Sequence, residues 1–239
     1  MTQQLILDLA PPTPPTLDNF ISGANHAALD ALRSIEPGRA IYLWGSAGAG
    51  RTHLLKAVGQ SGETGKTRYF GKQDSPRAMR ELATANSMPY ALIAIDDVQH
   101  LDDDGQAALF TLYNRWRELA ADPQGFALVL TGDRSPLAMP VREDLRTRLG
   151  WDLVYRLELL SDEDRAQALR TRAQERGLQL SPEIIHWILT HYDRDMGRLC
   201  ALVDALDRYS LARHRAMTLP LLKDLLAGSG AACDTTNPN

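Results

Sequence analysis

Between residues 16 and 157 short apolar, β-prone runs alternate with helical stretches. The runs are Ala40–Trp44, Thr67–Phe70, 90–96, 126–131 and 153–157. The clearest helix spans 105–121, where Leu109, Leu112, Tyr113, Trp116 and Leu119 recur at three- and four-residue steps. Strands alternating with helices predict a parallel sheet with helices on both faces. After Leu160 the strand signals stop. Ser161 with Asp164 has the form of a capping box, opening a helix to about Arg176. Ser181 before Pro182 supplies an N-cap and a proline at the first helical position. Two more helices, from near Asp195 to Arg213 and from about Leu219 to Leu226, complete a small helical domain.

The predicted organisation is therefore an α/β domain over 16–160 and a helical domain over 161–227. Residues 1–15 hold a short apolar peptide followed by Pro11, Pro12, Pro14 and Pro15. Such a leader is expected to be extended and to serve partner recognition, with a frayed terminus as the plain alternative. Residues 228–239 are small and polar and are expected to be disordered.

With 239 residues, 44% of them hydrophobic and 23% charged, the chain can build a substantial core. Its net charge of -4 counts against a protein that grips DNA mainly through its own phosphate contacts. The two cysteines, Cys200 and Cys233, form no CxxC pair, which fits a reducing cytoplasm. The six histidines are scattered, and His186 and His191 lie five apart, the wrong spacing for one helical face. No metal-ligand pattern stands out among them. No apolar run approaches the roughly 18 residues of a membrane span, so no membrane role is expected.

The strongest chemical motif is Gly45-Ser46-Ala47-Gly48-Ala49-Gly50-Arg51-Thr52, lying between a strand at 41–44 and a helical run that starts at His53. Glycines let backbone N–H groups turn onto phosphate oxygens, and the helix N-terminus adds positive dipole. The spacing G-x4-G-basic-T is that of a P-loop. Arg51 stands where lysine is expected, and its planar fork is no equivalent. A glycine turn between strand and helix is the plain alternative. A second motif, at 91–98, ends a buried strand in Asp96 and Asp97. In a P-loop protein the first carboxylate reaches the Mg²⁺ shell, with Thr52, and the second orients water. Acidic pairs also simply end strands. The motif gains weight from lying about 45 residues beyond the P-loop. Asp133, after the fourth strand, is placed to sense a γ-phosphate, although taken alone a turn after a strand is the favoured reading. Arg146 and Arg148 sit two apart near a helix end, where a solvated face is the usual reading.

Together these segments resemble the DnaA-type AAA+ family. TLDNFISGANHAAL (16–29), GSAGAGRTHLL (45–55), IDDVQHL (95–101), LTGDRSP (130–136) and EDLRTRLGWDL (143–153) follow one another as they do in the bacterial initiator DnaA. The resemblance covers about 16–227 and lacks DnaA's extra N-terminal domain and its basic DNA-binding C-terminal domain. Arg51 and LSDEDRAQALRTRAQERGLQL (160–180) are more similar to the short Hda group of DnaA paralogues. Gln4, Leu5, Ile6, Leu7 and Leu9 resemble that group's clamp-binding peptide QL[SP]LPL, with Ile6 and Asp8 as departures.

The resemblance implies an AAA+ P-loop sheet with a small C-terminal helical lid. It implies ADP (or ATP) with Mg²⁺, bound by 45–52, His53, Asp96, Asp97, Asp133 as sensor 1 and Arg198 as sensor 2. Arg198 is the less clean match, because the family arginine aligns better with Gly197. Arg148 matches an arginine finger acting in trans. The implied function is negative regulation of replication initiation in the cytoplasm. With the DNA-loaded sliding clamp (the DNA polymerase III beta subunit) the protein stimulates ATP hydrolysis by DnaA, giving inactive DnaA–ADP. Its partners are DnaA and the clamp, DNA is met only through the clamp, and a homo-oligomer is expected. Its own ATPase is expected to be weak or absent. The alternatives are a DnaA-related adaptor that recruits replication proteins without promoting hydrolysis, and an autonomous ATPase using Asp96 and Asp97.

Overall fold

A computed structural model describes residues 14–61, 66–213 and 215–228. They fall into two compact units, divided between Leu159 and Leu160. The first unit runs α1 (His26–Arg33), β1 (Ala40–Trp44), α2 (Arg51–Ser61), β2 (Thr67–Phe70), α3 (Pro76–Thr84), β3 (Leu92–Ile95), α4 (Asp103–Glu118), β4 (Ala127–Gly132), α5 (Glu143–Arg148) and β5 (Leu153–Arg156). All strand pairings are parallel, in the order β2-β3-β4-β1-β5.

The continuous apolar runs follow from burial on both faces of the sheet. Side chains alternate along a strand, so each run feeds two cores. Ala40, Tyr42, Ile93, Ile95, Leu128 and Leu130 enter one core with Met79, Leu109, Leu112, Tyr113 and Trp116. Ile41, Leu43, Leu92, Ala94, Ala127 and Val129 enter the other with Leu29, Leu32, Leu54, Leu55 and Val58. The first core is capped by α3, α4 and α5, the second by α1 and α2. Edge strand β5 alternates between half-buried and exposed positions, as a strand with one uncovered side should.

The chain leaves β1 toward β2 on one side of the sheet, while β5 lies on the other side of β1. That reversal opens a crevice at the carboxyl ends of the strands, where ligands bind open α/β sheets. The P-loop segment follows β1 at this point. Asp96 and Asp97 follow β3, and Asp133 follows β4.

The second unit holds α6 (Asp162–Glu175), α7 (Pro182–His191), α8 (Met196–Arg213) and α9 (Leu219–Gly228). The Ser161–Asp164 capping box is formed in both directions, and Ser181 caps α7 ahead of Pro182. Leu169, Ile184, Ile188, Leu199, Leu206 and Leu222 are among its buried core. Every predicted strand is present, with the third, fourth and fifth shifted or trimmed by one or two residues. Helix α2 starts at Arg51, two residues before the predicted start, so Arg51 and Thr52 belong to its first turn. The leader through Thr13 and the tail from Ser229 lie outside the described residues, and so do Gln4, Leu5, Ile6, Leu7 and Leu9.

Candidate functional site

The P-loop conformation depends on glycine at two positions in particular. At Gly45 a Cβ would lie 2.5 Å from the backbone oxygen of Leu157. Gly50 has φ +87°, and a Cβ there would also meet the Phe20 ring at 2.7 Å. Leu54 N–H donates to the Gly50 carbonyl and so begins the helical bonding of α2. The N–H groups of the first helical turn have no intrahelical acceptor, which makes this end a ready anion site. His53 Nε2 lies 3.1 Å from the Thr16 carbonyl oxygen, and its ring is tilted against Phe20 at 5.5 Å. The segment before α1 therefore lies against the P-loop helix.

Both carboxylates after β3 are engaged by side chains from elsewhere in the unit. Tyr69 Oη donates to Asp96 Oδ2 at 2.8 Å, and Thr131 Oγ1 donates to Asp96 Oδ1 at 2.6 Å. Burial, then the hydrogen bond to Asp96, pushes the Tyr69 hydroxyl well above its ordinary range. The same Thr131 oxygen accepts from the Asp97 N–H at 2.8 Å. Asp97 adopts a left-handed backbone with φ +50°, the only described non-glycine residue to do so. Such strain costs on the order of 1 kcal/mol and clusters at functional sites. Its Oδ1 accepts from Gln99 Nε2 at 2.9 Å and pairs with Arg51 Nη2 at 3.3 Å. Arg51 is 12% exposed, and its Nη1 is buried without a partner. A buried donor left in that state costs about 1–3 kcal/mol. Gln99 Oε1 in turn accepts from the Asp133 N–H at 3.2 Å.

This arrangement fits a nucleoside phosphate with a divalent cation. Gly45 and Gly50 keep side chains out of the loop, Arg51 holds a donor short of an acceptor, and each Asp96 oxygen keeps a lone pair for a metal-bound water. Asp133 is a different case. Arg134 holds its carboxylate through Nε at 3.0 Å and Nη2 at 2.8 Å. That hydrogen bonding keeps Asp133 below the usual carboxylate range.

Arg148 lies elsewhere, at the end of α5. Its guanidinium stacks 3.8 Å from the Phe110 ring centroid and 4.8 Å from that of Trp151. Nη1 donates to the Asp144 carbonyl at 2.8 Å and Nη2 to Asn114 Oδ1 at 3.1 Å, while Nε is buried without a partner. No ion pair or hydrogen bond is formed by the Arg146 side chain among the described residues. Arg198, in the helical unit, is 70% exposed and pairs with Asp193 at 2.6 Å. Its backbone N–H is capped by Asp195 Oδ1, the atom that a Cβ at Gly197 would approach to 3.1 Å.

Residues 162–226 match the family model described as Hda, lid domain. The chain superposes on domain III of Thermotoga maritima DnaA with a TM-score of 0.68 and 24% identity, over 91% of this chain and 98% of that one. The chain thus has a Hda-type lid segment and the AAA+ fold seen in DnaA. AMPPCP-bound DnaA from Aquifex aeolicus is similar at TM-score 0.64 and 25% identity, over 84% of this chain and 69% of that one. The RuvB protein of Thermotoga maritima shares the fold at TM-score 0.65 and 17% identity, over 91% and 74%. No described helix is long and apolar enough to cross a membrane.

The segments after β1, β3 and β4 lie at one end of the sheet. Tyr69, Gln99, Phe110, Asn114 and Trp151 are absent from the sequence-based candidates. Each acts on a residue that was among them, from 2 to 38 positions away in the chain. No local pattern marks them.

Proposed function

We propose that this protein holds ADP with Mg²⁺ at its P-loop and, with the DNA-loaded sliding clamp, stimulates ATP hydrolysis by DnaA. The product is inactive DnaA–ADP, so the protein restrains replication initiation in the cytoplasm. The observation that carries the reading is the Hda-type lid at 162–226 on a chain with an ordered P-loop. Residues 45–52, His53, Asp96, Asp97, Asp133 and Arg198 hold the nucleotide, with Thr52 and Asp96 serving the cation. Gln4, Leu5, Ile6, Leu7 and Leu9 dock in the clamp's peptide groove. The protein acts as a homo-oligomer that meets DNA only through the clamp.

Arg148 acts in trans on ATP bound to DnaA. Phosphoryl transfer spreads negative charge over the equatorial oxygens, and a fixed guanidinium favours that state over the ground state. Stacking on Phe110 and Trp151 supports the role, because a pre-oriented plane needs little reorganisation. The test is DnaA ATP hydrolysis with and without this protein and a loaded clamp. No stimulation with all components present defeats the reading.

One observation favours the adaptor alternative. Both terminal nitrogens of Arg148 already have acceptors within the chain, at Asp144 and Asn114. A finger has only the remaining N–H groups of a guanidinium already tied into the chain for phosphate. An adaptor makes no such demand, and it predicts DnaA binding without faster hydrolysis.

A further inference from the structure

Three neighbouring strands deliver side chains to one place. Tyr69 of β2 stands beside Ala94 of β3, and Ala94 stands beside Val129 of β4. Side chains alternate along a strand, so Asp96 and Thr131, each two residues further on, leave the sheet on the same face as Tyr69. On that face Ala94 and Val129 pack with Leu54 and Leu55 of α2. Asp96 is consequently met from both sides, by Tyr69 Oη at Oδ2 and by Thr131 Oγ1 at Oδ1. Its backbone N–H donates to the Phe70 carbonyl at 2.9 Å, which continues the pairing of β2 with β3 past the end of the strand.

The pose of Tyr69 has its own support. A Cβ at Gly71 would lie 2.9 Å from Tyr69 Cε1 and 3.3 Å from its Oη, so the ring rests over a residue without a side chain. Lys56 Nζ, on α2, sits 5.9 Å from the ring centroid. A carboxylate with a donor on each oxygen cannot rotate without breaking one of the two bonds. Each oxygen still has room to accept from a further donor, such as a cation-bound water.

We propose that Tyr69 is a positioning residue that pins Asp96 as an acceptor for cation-bound water, and so makes the site take Mg²⁺ in preference to Ca²⁺. The proposal rests on the nucleotide-binding reading above. Mg²⁺ demands near-octahedral geometry, dehydrates reluctantly and keeps several waters, so a fixed carboxylate that accepts from water serves it well. Ca²⁺ takes about six to eight oxygens in a flexible shell and often chelates both oxygens of one carboxylate. For that the carboxylate must swing, and the bonds from Tyr69 and Thr131 hold it in place. Partners that orient a metal-serving carboxylate are worth about 10–100-fold in metal affinity. Tyr69 acts through Asp96 alone, and Gly71 acts through Tyr69 by leaving space for its ring.

The experiment uses the full chain as wild type, Tyr69→Phe and Gly71→Ala. ADP is titrated calorimetrically in saturating Mg²⁺, in saturating Ca²⁺ and in EDTA. Wild type should bind ADP about tenfold or more tighter with Mg²⁺ than with Ca²⁺. Tyr69→Phe keeps the ring and loses only the hydroxyl, and it should bring the two cations within about threefold. Gly71→Ala leaves Asp96 and Tyr69 chemically intact but crowds the ring, and it should move the ratio in the same direction. Affinity in EDTA should stay within about threefold of wild type in both variants. A wild type that binds ADP equally well with either cation overturns the proposal, and so does a Tyr69→Phe protein that keeps the wild-type ratio. An equal loss in all three conditions makes Tyr69 merely structural and also overturns it. Should Tyr69→Phe bind no ADP, Gly71→Ala decides, and an unchanged ratio or a loss of all binding there defeats the proposal. Wild type that binds no ADP under any condition defeats the nucleotide reading beneath it.

Discussion

Two half-buried arginines of the α/β unit are held in opposite ways. Arg51 is fixed by charge, through Asp97, at the mouth of a loop shaped by glycines. Arg148 is fixed by rings, between Phe110 and Trp151, with neutral oxygens at its ends. Each retains one buried nitrogen with no acceptor, Nη1 in the first and Nε in the second. The proposed function gives the difference a meaning. An ion pair competes with phosphate for a guanidinium, so an Arg51 that binds nucleotide would answer to its own site. Ring contacts leave positive charge uncompensated, so an Arg148 that acts in trans would keep its charge for an anion brought from outside.

The largest expected effect comes from removing the ring-held arginine. Arg148→Ala should lower stimulation of DnaA hydrolysis by about a thousandfold or more, the scale of arginine fingers in GTPases. Lysine should rescue little, since it offers no planar fork to stack. ADP and clamp binding should stay near wild type, and Arg146→Ala should lose much less. Full stimulation by Arg148→Ala ends the comparison in favour of the adaptor reading.

Next comes the loop that surrounds the charge-held arginine. Gly50→Ala imposes a positive φ on a side-chain-bearing residue and pushes against Phe20. Strain of about 1–3 kcal/mol should weaken ADP binding roughly ten- to a hundredfold in calorimetry. Affinity within twofold of wild type means that the loop does not cradle the nucleotide.

A smaller effect tests the rings themselves. Trp151→Ala should reduce stimulation by about tenfold, from loss of one stacking face. Trp151→Phe should restore most of it, and neither variant should change ADP affinity. A purely structural Trp151 would instead lower the melting temperature and leave stimulation per folded molecule unchanged.

The smallest effect calibrates the charge-held case with an arginine that has no functional reading. Arg39 forks onto Asp152 at 2.7 and 2.8 Å, and the Ala40 N–H donates to the same carboxylate at 2.8 Å. These bonds, Arg39 foremost, hold Asp152 below the usual carboxylate range. Its native form is therefore favoured when ionised. The contribution is present above the unfolded carboxylate value near 4 and is lost as pH falls through the lower native value. Arg39 is half exposed, so Asp152→Asn should cost only on the order of 1 kcal/mol at pH 7. Denaturant melts should show the gap between wild type and variant closing below about pH 4. A gap that persists unchanged at pH 3 would mean that packing rather than charge ties β5 to β1.

Much of this was readable along the chain. The alternation of apolar runs with three- and four-residue periodicity specified a parallel sheet, because each strand had to feed two cores. The caps at Ser161 and Ser181 marked two helices of the second unit, because capping is satisfied within three residues. The P-loop was legible because its glycines, its basic residue and Thr52 are contiguous. The start of α2 was placed two residues late, since glycine-rich sequence carries no helical periodicity to show where the first turn closes.

The partners of the functional side chains belong to tertiary structure alone. Arg51 meets Asp97, Tyr69 meets Asp96 and Asn114 meets Arg148 across separate elements of the fold. Sequence determined which segments form strands, to within one or two residues at their ends, because propensity and burial act through near neighbours. Which guanidinium nitrogen is left without an acceptor depends on rotamers and distances that only packing fixes.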